Sequence, residues 1–394
     1  MLGWPKRKDK VEASVTSLRI EGKVAPGFEK VRDTFAANFA RGDAYQDVGA
    51  SLCVYRAGKM IVDLWGGYRD AAQSKPWTRD TLINVWSTTK GITALAVAQL
   101  VDRKLMSYAD PVAKHWPEFA QNGKGQITVA QLLSHQGGLP GFAEPTTVED
   151  FYVWSRVCER LARQAPMWEP GTKNSYHAMT YGFLAGELVR RVAKKSVGQL
   201  VQAEIAKPLG ADVFIGLGAP LEPRVATQFA PKVQPDLAAM GLPPEALAAL
   251  TNPAVEPGMS NVRAWRAAEV PAANGQATAA GLARVYGALA DGGALDGERV
   301  ISADGIARMT EVQTRRPDLM LGFEPCWAMG FATNKIGVYG PNPRAFGHSG
   351  WGGSFGCADP DAKIGIGYAM NQMGADLVGD PRANGLCAAI FSCL

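Results

Sequence analysis

A chain of 394 residues with 41 basic and 37 acidic side chains is close to charge balance, and its Lys and Arg are scattered rather than gathered in one stretch. That argues against a nucleic-acid partner, while the length allows one large composite domain or two packed ones. The most apolar stretch, Gly91 to Val101, is too short to cross a bilayer, and the basic start MLGWPKRKDKVEAS lacks the apolar run of a secretory signal, so a soluble chain with no membrane partner is expected.

In chain order, residues 48–68 alternate apolar and polar positions around Arg56-Ala57-Gly58-Lys59, which predicts a β-hairpin. After Ser87, the residues Ile92, Leu95, Ala96, Val97, Leu100 and Val101 cover nearly every face of a helix, so this helix is expected to be buried all round. From about 100 to 290, helical periods recur, as in Tyr181 to Val192 and Ala279 to Asp291, and predict a mostly helical block. Within it, the proline-rich stretch Val213 to Pro271 is the least regular and is expected to supply loops at a substrate entrance. Near the end, Ala345 to Gly356 and Ile364 to Met370 are β-like runs around Asp359-Pro360-Asp361, which predicts a second hairpin. Strands at both ends with helices between them predict an α+β fold. One α/β domain is expected from residues 1–85 and 285–394, a mostly helical domain from 86–284, and a cleft at their seam.

The six cysteines lie far apart except for Cys387 and Cys393 and show no metal-ligand spacing. They are expected to be buried thiols of a cytoplasmic protein, although an even count leaves disulfides open. The four histidines, His115, His135, His177 and His348, form no pair at ligand spacing, so neither a metal nor another cofactor is expected.

Three segments carry chemistry. Ser87-Thr88-Thr89-Lys90 opens the buried helix, and three residues of helix put Ser87 and Lys90 on one face. A neutral lysine, its pKa lowered by desolvation, can take the serine proton, and the helix N-terminus acts in the same direction. Alone, the tetrad equally describes a serine capping a helix. Pro170-Gly171-Thr172-Lys173-Asn174-Ser175-Tyr176 delivers a tyrosine from a turn just ahead of a helix. A phenolate there is a competent base if a cation such as Lys90 pulls its pKa down, and an ordinary packed tyrosine is the alternative. Gly347-His348-Ser349-Gly350-Trp351-Gly352-Gly353 is glycine-dense, so a ligand can approach its backbone and N–H groups can bind an oxyanion; a tightly packed strand would read the same way.

Gly352-Gly353-Ser354-Phe355-Gly356 also fits the Gly-x-Ser-x-Gly nucleophile elbow, but no histidine follows Ser354, and the chain order of that triad fails. His135 is read as a hydrogen-bonded structural residue, and His348 as a group that bridges substrate or holds Tyr176. Trp86, Tyr152, Trp154, Trp168, Trp327 and Phe355 are candidates for an acyl pocket, a minority of them touching substrate.

In this order and at these separations, STTK, PGTKNSY and HSGWGG resemble the three motifs of class C β-lactamases and of their esterase relatives, the family VIII carboxylesterases. Ile127-Thr128-Val129-Ala130-Gln131-Leu132-Leu133-Ser134-His135-Gln136-Gly137-Gly138-Leu139-Pro140 looks like the segment that follows the nucleophile helix there. The resemblance implies a β-lactamase-like fold, with an antiparallel sheet flanked by helices beside an all-helical domain. It implies Ser87 as nucleophile, Tyr176 with Lys90 as proton shuttle, the Ser87 and Trp351 N–H groups as oxyanion hole, and His348, Ser349, Gly350 and Trp351 as substrate-binding residues. Ala178 stands where β-lactamases carry an asparagine, and His348 where they carry the lysine that binds the antibiotic carboxylate. The expectation is therefore a serine carboxylesterase acting on short- to medium-chain acyl esters through an acyl-enzyme. The alternatives are a transacylase, a D-amino-acid amidase or a weak β-lactamase on the same scaffold, or a silent protein that binds a peptide or cell-wall fragment.

Overall fold

A computed structural model describes residues 19–234 and 241–394. Seven strands form one antiparallel sheet: β1 (Ile20–Val24), β2 (Gly49–Arg56), β3 (Lys59–Gly67), β4 (Ala332–Thr333), β5 (Phe346–Ser349), β6 (Phe355–Asp359) and β7 (Ile364–Met370). Their spatial order is β1-β3-β2-β7-β6-β5-β4, so strands from both ends of the chain meet at β2 and β7. The β2–β3 turn pairs Arg56 with Lys59 across Ala57 and Gly58, both at positive φ (46° and 74°), the backbone of a two-residue hairpin turn.

The expected second hairpin is a three-stranded meander. The run from Ala345 to Gly356 is broken between Ser349 and Phe355 into β5 and β6, because Gly352 and Gly353 take positive φ (93° and 119°) and leave the extended region. Both hairpin pairings, β5–β6 and β6–β7, are antiparallel.

Among the described residues, seven longer helices surround the sheet or build the middle of the chain: α1 (Glu29–Asn38), α2 (Thr88–Asp102), α3 (Trp154–Arg163), α4 (Thr180–Ala193), α5 (Pro244–Thr251), α6 (Ala279–Ala290) and α7 (Pro381–Phe391). Helix α6 lies directly on β7, and glycine makes that possible: a Cβ on Gly365 would stand 2.1 Å from the Gly287 nitrogen. Side chains alternate faces along a strand, so Tyr368 points to the opposite side, where it meets Asp47, itself bonded to Arg382 of α7.

Helix α2 has fourteen buried residues out of fifteen and packs against α4 and β5. The middle of the chain also holds a small sheet the helical periodicity gave no hint of, made of Ile83–Asn84, Val213–Phe214 and Gln276–Ala277. Two-residue strands are too short to leave a period in the sequence. Among the described residues, no helix is long and apolar enough to cross a membrane.

Candidate active site

Ser87 sits at the start of α2 with its side chain free of capping: no side-chain hydrogen bond to the helix N-terminus is formed. The backbone delivers it under strain, since Trp86 before it has φ 46°, a region that bulky residues avoid. Lys90, one turn on, is wholly buried, and its Nζ lies 3.2 Å from Ser87 Oγ. The same Nζ donates to the carbonyls of Ala178 (2.7 Å) and Ala272 (3.0 Å). Burial holds the amine well below the ordinary lysine range. A neutral amine has two N–H groups and one lone pair; with both N–H groups used on carbonyls, the lone pair faces the serine hydroxyl.

Tyr176 is 4% exposed and lines the same cavity as Ser87. Lys90 Nζ lies over the face of its ring, 4.6 Å from the centroid. Here the sequence expectation is corrected. Burial pushes the phenol above its usual value, opposed only in part by the Ser87 hydroxyl nearby, so the resting group is a neutral phenol and not a phenolate stabilised by a cation. Desolvation disfavours both charged forms at once, which leaves an amine and a phenol, both uncharged, around one hydroxyl.

Three histidines surround this pair. His177 donates from Nδ1 to Ser175 O (2.7 Å) and accepts at Nε2 from the Leu139 N–H (3.2 Å). His135, buried and at φ 64°, accepts at Nδ1 from the His177 N–H (3.1 Å), so its proton is on Nε2. His348 donates from Nδ1 to Ser349 O (2.8 Å). Burial keeps them neutral, His177 pushed down to about 4 and His348 to about 3. His348 stacks on Trp327 and stands 6.0 Å from the Tyr176 ring.

The third motif reaches the site through the turn after β5. Among the described residues, neither the Ser87 N–H nor the Trp351 N–H has a hydrogen-bond partner, whereas the neighbouring amides of Gly350, Gly352 and Gly353 are all engaged. The turn is held from behind: Arg382 on α7, fully buried, donates to Gly352 O (2.7 Å) while bonded to Asp47 and Asp380. Ser354 is structural, its hydroxyl donating to Val85 O (2.8 Å) two residues before Ser87.

A cavity of about 220 Å³ opens over these groups. Ser87, Tyr176 and Trp351 line it together with mostly apolar side chains, Met179, Leu250, Val255, Met320 and Leu377 among them. The irregular stretch supplies one side, from Gln234 and from Ala249 to Pro257. Of the six aromatic candidates only Trp86 lines it; Trp327 packs behind Tyr176 instead. Trp351 is at the wall, whereas His348, Ser349 and Gly350 are not: Ser349 Oγ lies 3.2 Å from the Tyr339 hydroxyl, and a Cβ on Gly350 would meet Ser354 Oγ at 2.3 Å.

Sequence reasoning missed Asp318 and Arg382, two buried charged residues bonded to the backbone of the second and third motifs. A lone acid beside the apolar run Leu319-Met320-Leu321, and a lone arginine in the helix of Ala383, Leu386 and Ala389, were the signals available.

A family model described as Beta-lactamase matches residues 35–388. The crystal structure of a family VIII carboxylesterase, 49% identical, superposes with a TM-score of 0.90 over 95% of this chain and 100% of that one. A penicillin-binding protein homolog from Caulobacter crescentus, 42% identical, superposes with a TM-score of 0.91 over the same shares. Esterase/beta-lactamase LipL of Mycobacterium tuberculosis is 36% identical over 377 residues, spanning 91% of this chain and 85% of that protein.

Proposed function

This chain belongs to the beta-lactamase family, and from that premise we propose that it is a carboxylesterase cleaving short- to medium-chain acyl esters with Ser87, Lys90 and Tyr176. That it is a serine ester hydrolase follows from its relatives. The observation that supports the finer reading is the setting of Lys90: its buried Nζ lies 3.2 Å from Ser87 Oγ and donates to the Ala178 and Ala272 carbonyls, so that as a neutral amine it keeps a lone pair for the serine proton.

In acylation, the Ser87 proton passes to Lys90 Nζ as Oγ bonds to the acyl carbon. The carbonyl oxygen takes the negative charge between the Ser87 and Trp351 N–H groups, each such donor being worth roughly 10²–10³ in rate. The proton then travels through the Tyr176 hydroxyl to the departing alcohol, and the C–O bond breaks. A water molecule repeats the sequence against the acyl-enzyme and frees Ser87 and the acid. The apolar cavity takes the acyl chain; an engineered apolar cavity of ~150 Å³ holds benzene, so about 220 Å³ suits a chain of several carbons. All six cysteines are free, five of them buried, which supports a cytoplasmic setting.

The test is turnover of p-nitrophenyl acetate, butyrate and octanoate against nitrocefin, with a serine-directed phosphonate as label. Ser87→Ala is expected to abolish both ester turnover and labelling. Retained turnover or labelling in that variant would remove Ser87 from the mechanism, and faster nitrocefin than ester cleavage would transfer the assignment to a β-lactamase.

A further inference from the structure

We infer that Asp318 is a positioning residue for this chemistry, a buried carboxylate that sets Tyr176 and Trp327 in place beside Ser87. The inference rests on the Ser-Tyr-Lys reading above.

Asp318 is 1% exposed, and among the described residues no lysine, arginine or histidine pairs with it. Its charge is met instead by N–H groups from two distant parts of the chain. Oδ1 accepts from the backbone of Tyr176 (3.0 Å), Met320 (3.0 Å) and Leu321 (3.2 Å), and Oδ2 from Trp327 Nε1 (3.0 Å) and Asn174 Nδ2 (3.4 Å). A carboxylate brings only acceptors, so it alone can face all five donors. The Asn174 amide is oriented for this, because its Oδ1 accepts from Thr314 Oγ1 at 3.0 Å. The backbone adds a further tie, Leu319 N–H to Asn174 O at 3.0 Å.

The effect on Tyr176 is twofold. Its own N–H is fixed, and Trp327, held by its indole N–H, stacks on the phenol ring with centroids 5.6 Å apart and planes at 13°. The Trp327 ring also separates His135 (4.5 Å) from His348 (5.9 Å), so one carboxylate organises the whole wall behind the phenol. An unpaired anion beside the phenol further favours its neutral form. A buried carboxylate without a cation is costly unless it is fully hydrogen-bonded, and its place here is at the second motif rather than in the general core.

Asp318→Asn keeps the shape but turns an N–H₂ toward Trp327 Nε1 and Asn174 Nδ2, donor against donor. The expected result, measured below the unfolding temperature of both proteins, is a kcat lowered roughly 10–100-fold with KM within about threefold. Phosphonate labelling of Ser87 should slow in proportion. A merely structural substitution lowers the melting temperature and leaves kcat and the labelling rate of the folded protein unchanged. Wild-type kcat and labelling rate in folded Asp318→Asn would overturn the inference. Should this variant not fold, Trp327→Phe decides: it removes one donor to Asp318 and keeps a ring against Tyr176, and a severalfold loss of kcat is expected, with unchanged kcat as the refuting result. Labelling of Ser87→Ala, run alongside, separates the two levels. If it is labelled, the Ser-Tyr-Lys reading fails; if it is not and Asp318→Asn behaves as wild type, only the Asp318 inference fails.

Discussion

Replacing Arg382 by Met is the sharpest test of how the third motif is held. The guanidinium is fully buried and donates to Asp380 Oδ1 (3.0 Å) and Oδ2 (2.7 Å), Asp47 Oδ1 (2.9 Å), Gln372 O (2.8 Å) and Gly352 O (2.7 Å). Methionine fills much of the volume but leaves two buried carboxylates without a cation, a loss of about 3–5 kcal/mol. With ~2.1 cal/mol/K of unfolding entropy per residue, a chain of 394 residues loses about 1.2 °C per kcal/mol, so Tm should fall by about 4–6 °C. The loss depends on pH. Burial raises Asp47 from 3.8 to about 6 even with Arg382 present, and without the arginine it rises further. An acid raised on folding binds its proton more tightly in the native state, so its contribution favours folding at low pH and fades as pH rises through the window from about 4 to 6. At pH 5 the variant can protonate Asp47 and avoid part of the penalty; at pH 8 it must expel two anions or unfold. Urea unfolding at both pH values, followed by circular dichroism, should therefore give the larger stability loss at pH 8. Turnover at a temperature where the variant is folded should fall in kcat, because Gly352 O has lost the donor that fixes the Trp351 turn. A loss under about 1 kcal/mol, or an equal loss at both pH values, would refute the reasoning.

Lys90→Arg keeps a cation that does not deprotonate in place of an amine neutralised by burial, and turnover should drop by roughly 10²–10⁴. With Lys90 as the proposed base the neutral amine is the reactive form, so kcat/KM should rise with pH through the depressed Lys90 pKa, and this acid limb should be missing from the residual activity of the variant. Among the described residues the buried Tyr286 hydroxyl has no partner, so Tyr286→Phe should raise stability by up to about 1 kcal/mol in a urea titration; destabilisation would show that the hydroxyl is satisfied in solution. Ala249→Phe fills part of the cavity wall and should reduce turnover of p-nitrophenyl octanoate at least tenfold more than that of the acetate. Equal losses on the two esters would mean that the acyl chain lies elsewhere.

Local pattern carried much of this protein. The turn at Ala57-Gly58, the buried helix after Ser87 and the helices from Tyr181 and Ala279 were legible because their period or turn chemistry is contained within a few residues. The same holds for the spacing of Ser87 and Lys90, since one helical turn alone brings the two side chains together. The split between β5 and β6 was not legible, because Gly352 and Gly353 permit either an extended or a left-handed backbone and the choice is made by Arg382 and Asp380 packed against them.

Sequence by itself determined the residue types able to move a proton and the order in which they occur. Tertiary structure alone decided their electrostatics, since burial by strands and helices hundreds of residues apart pushes the Lys90 amine down and the Tyr176 phenol up. It also decided which groups support them: Asp318 reaches Tyr176 across 142 residues, and Arg382 reaches Gly352 across 30. Desolvation and long-range hydrogen bonds depend on what surrounds an atom in space, and no window of sequence contains that information.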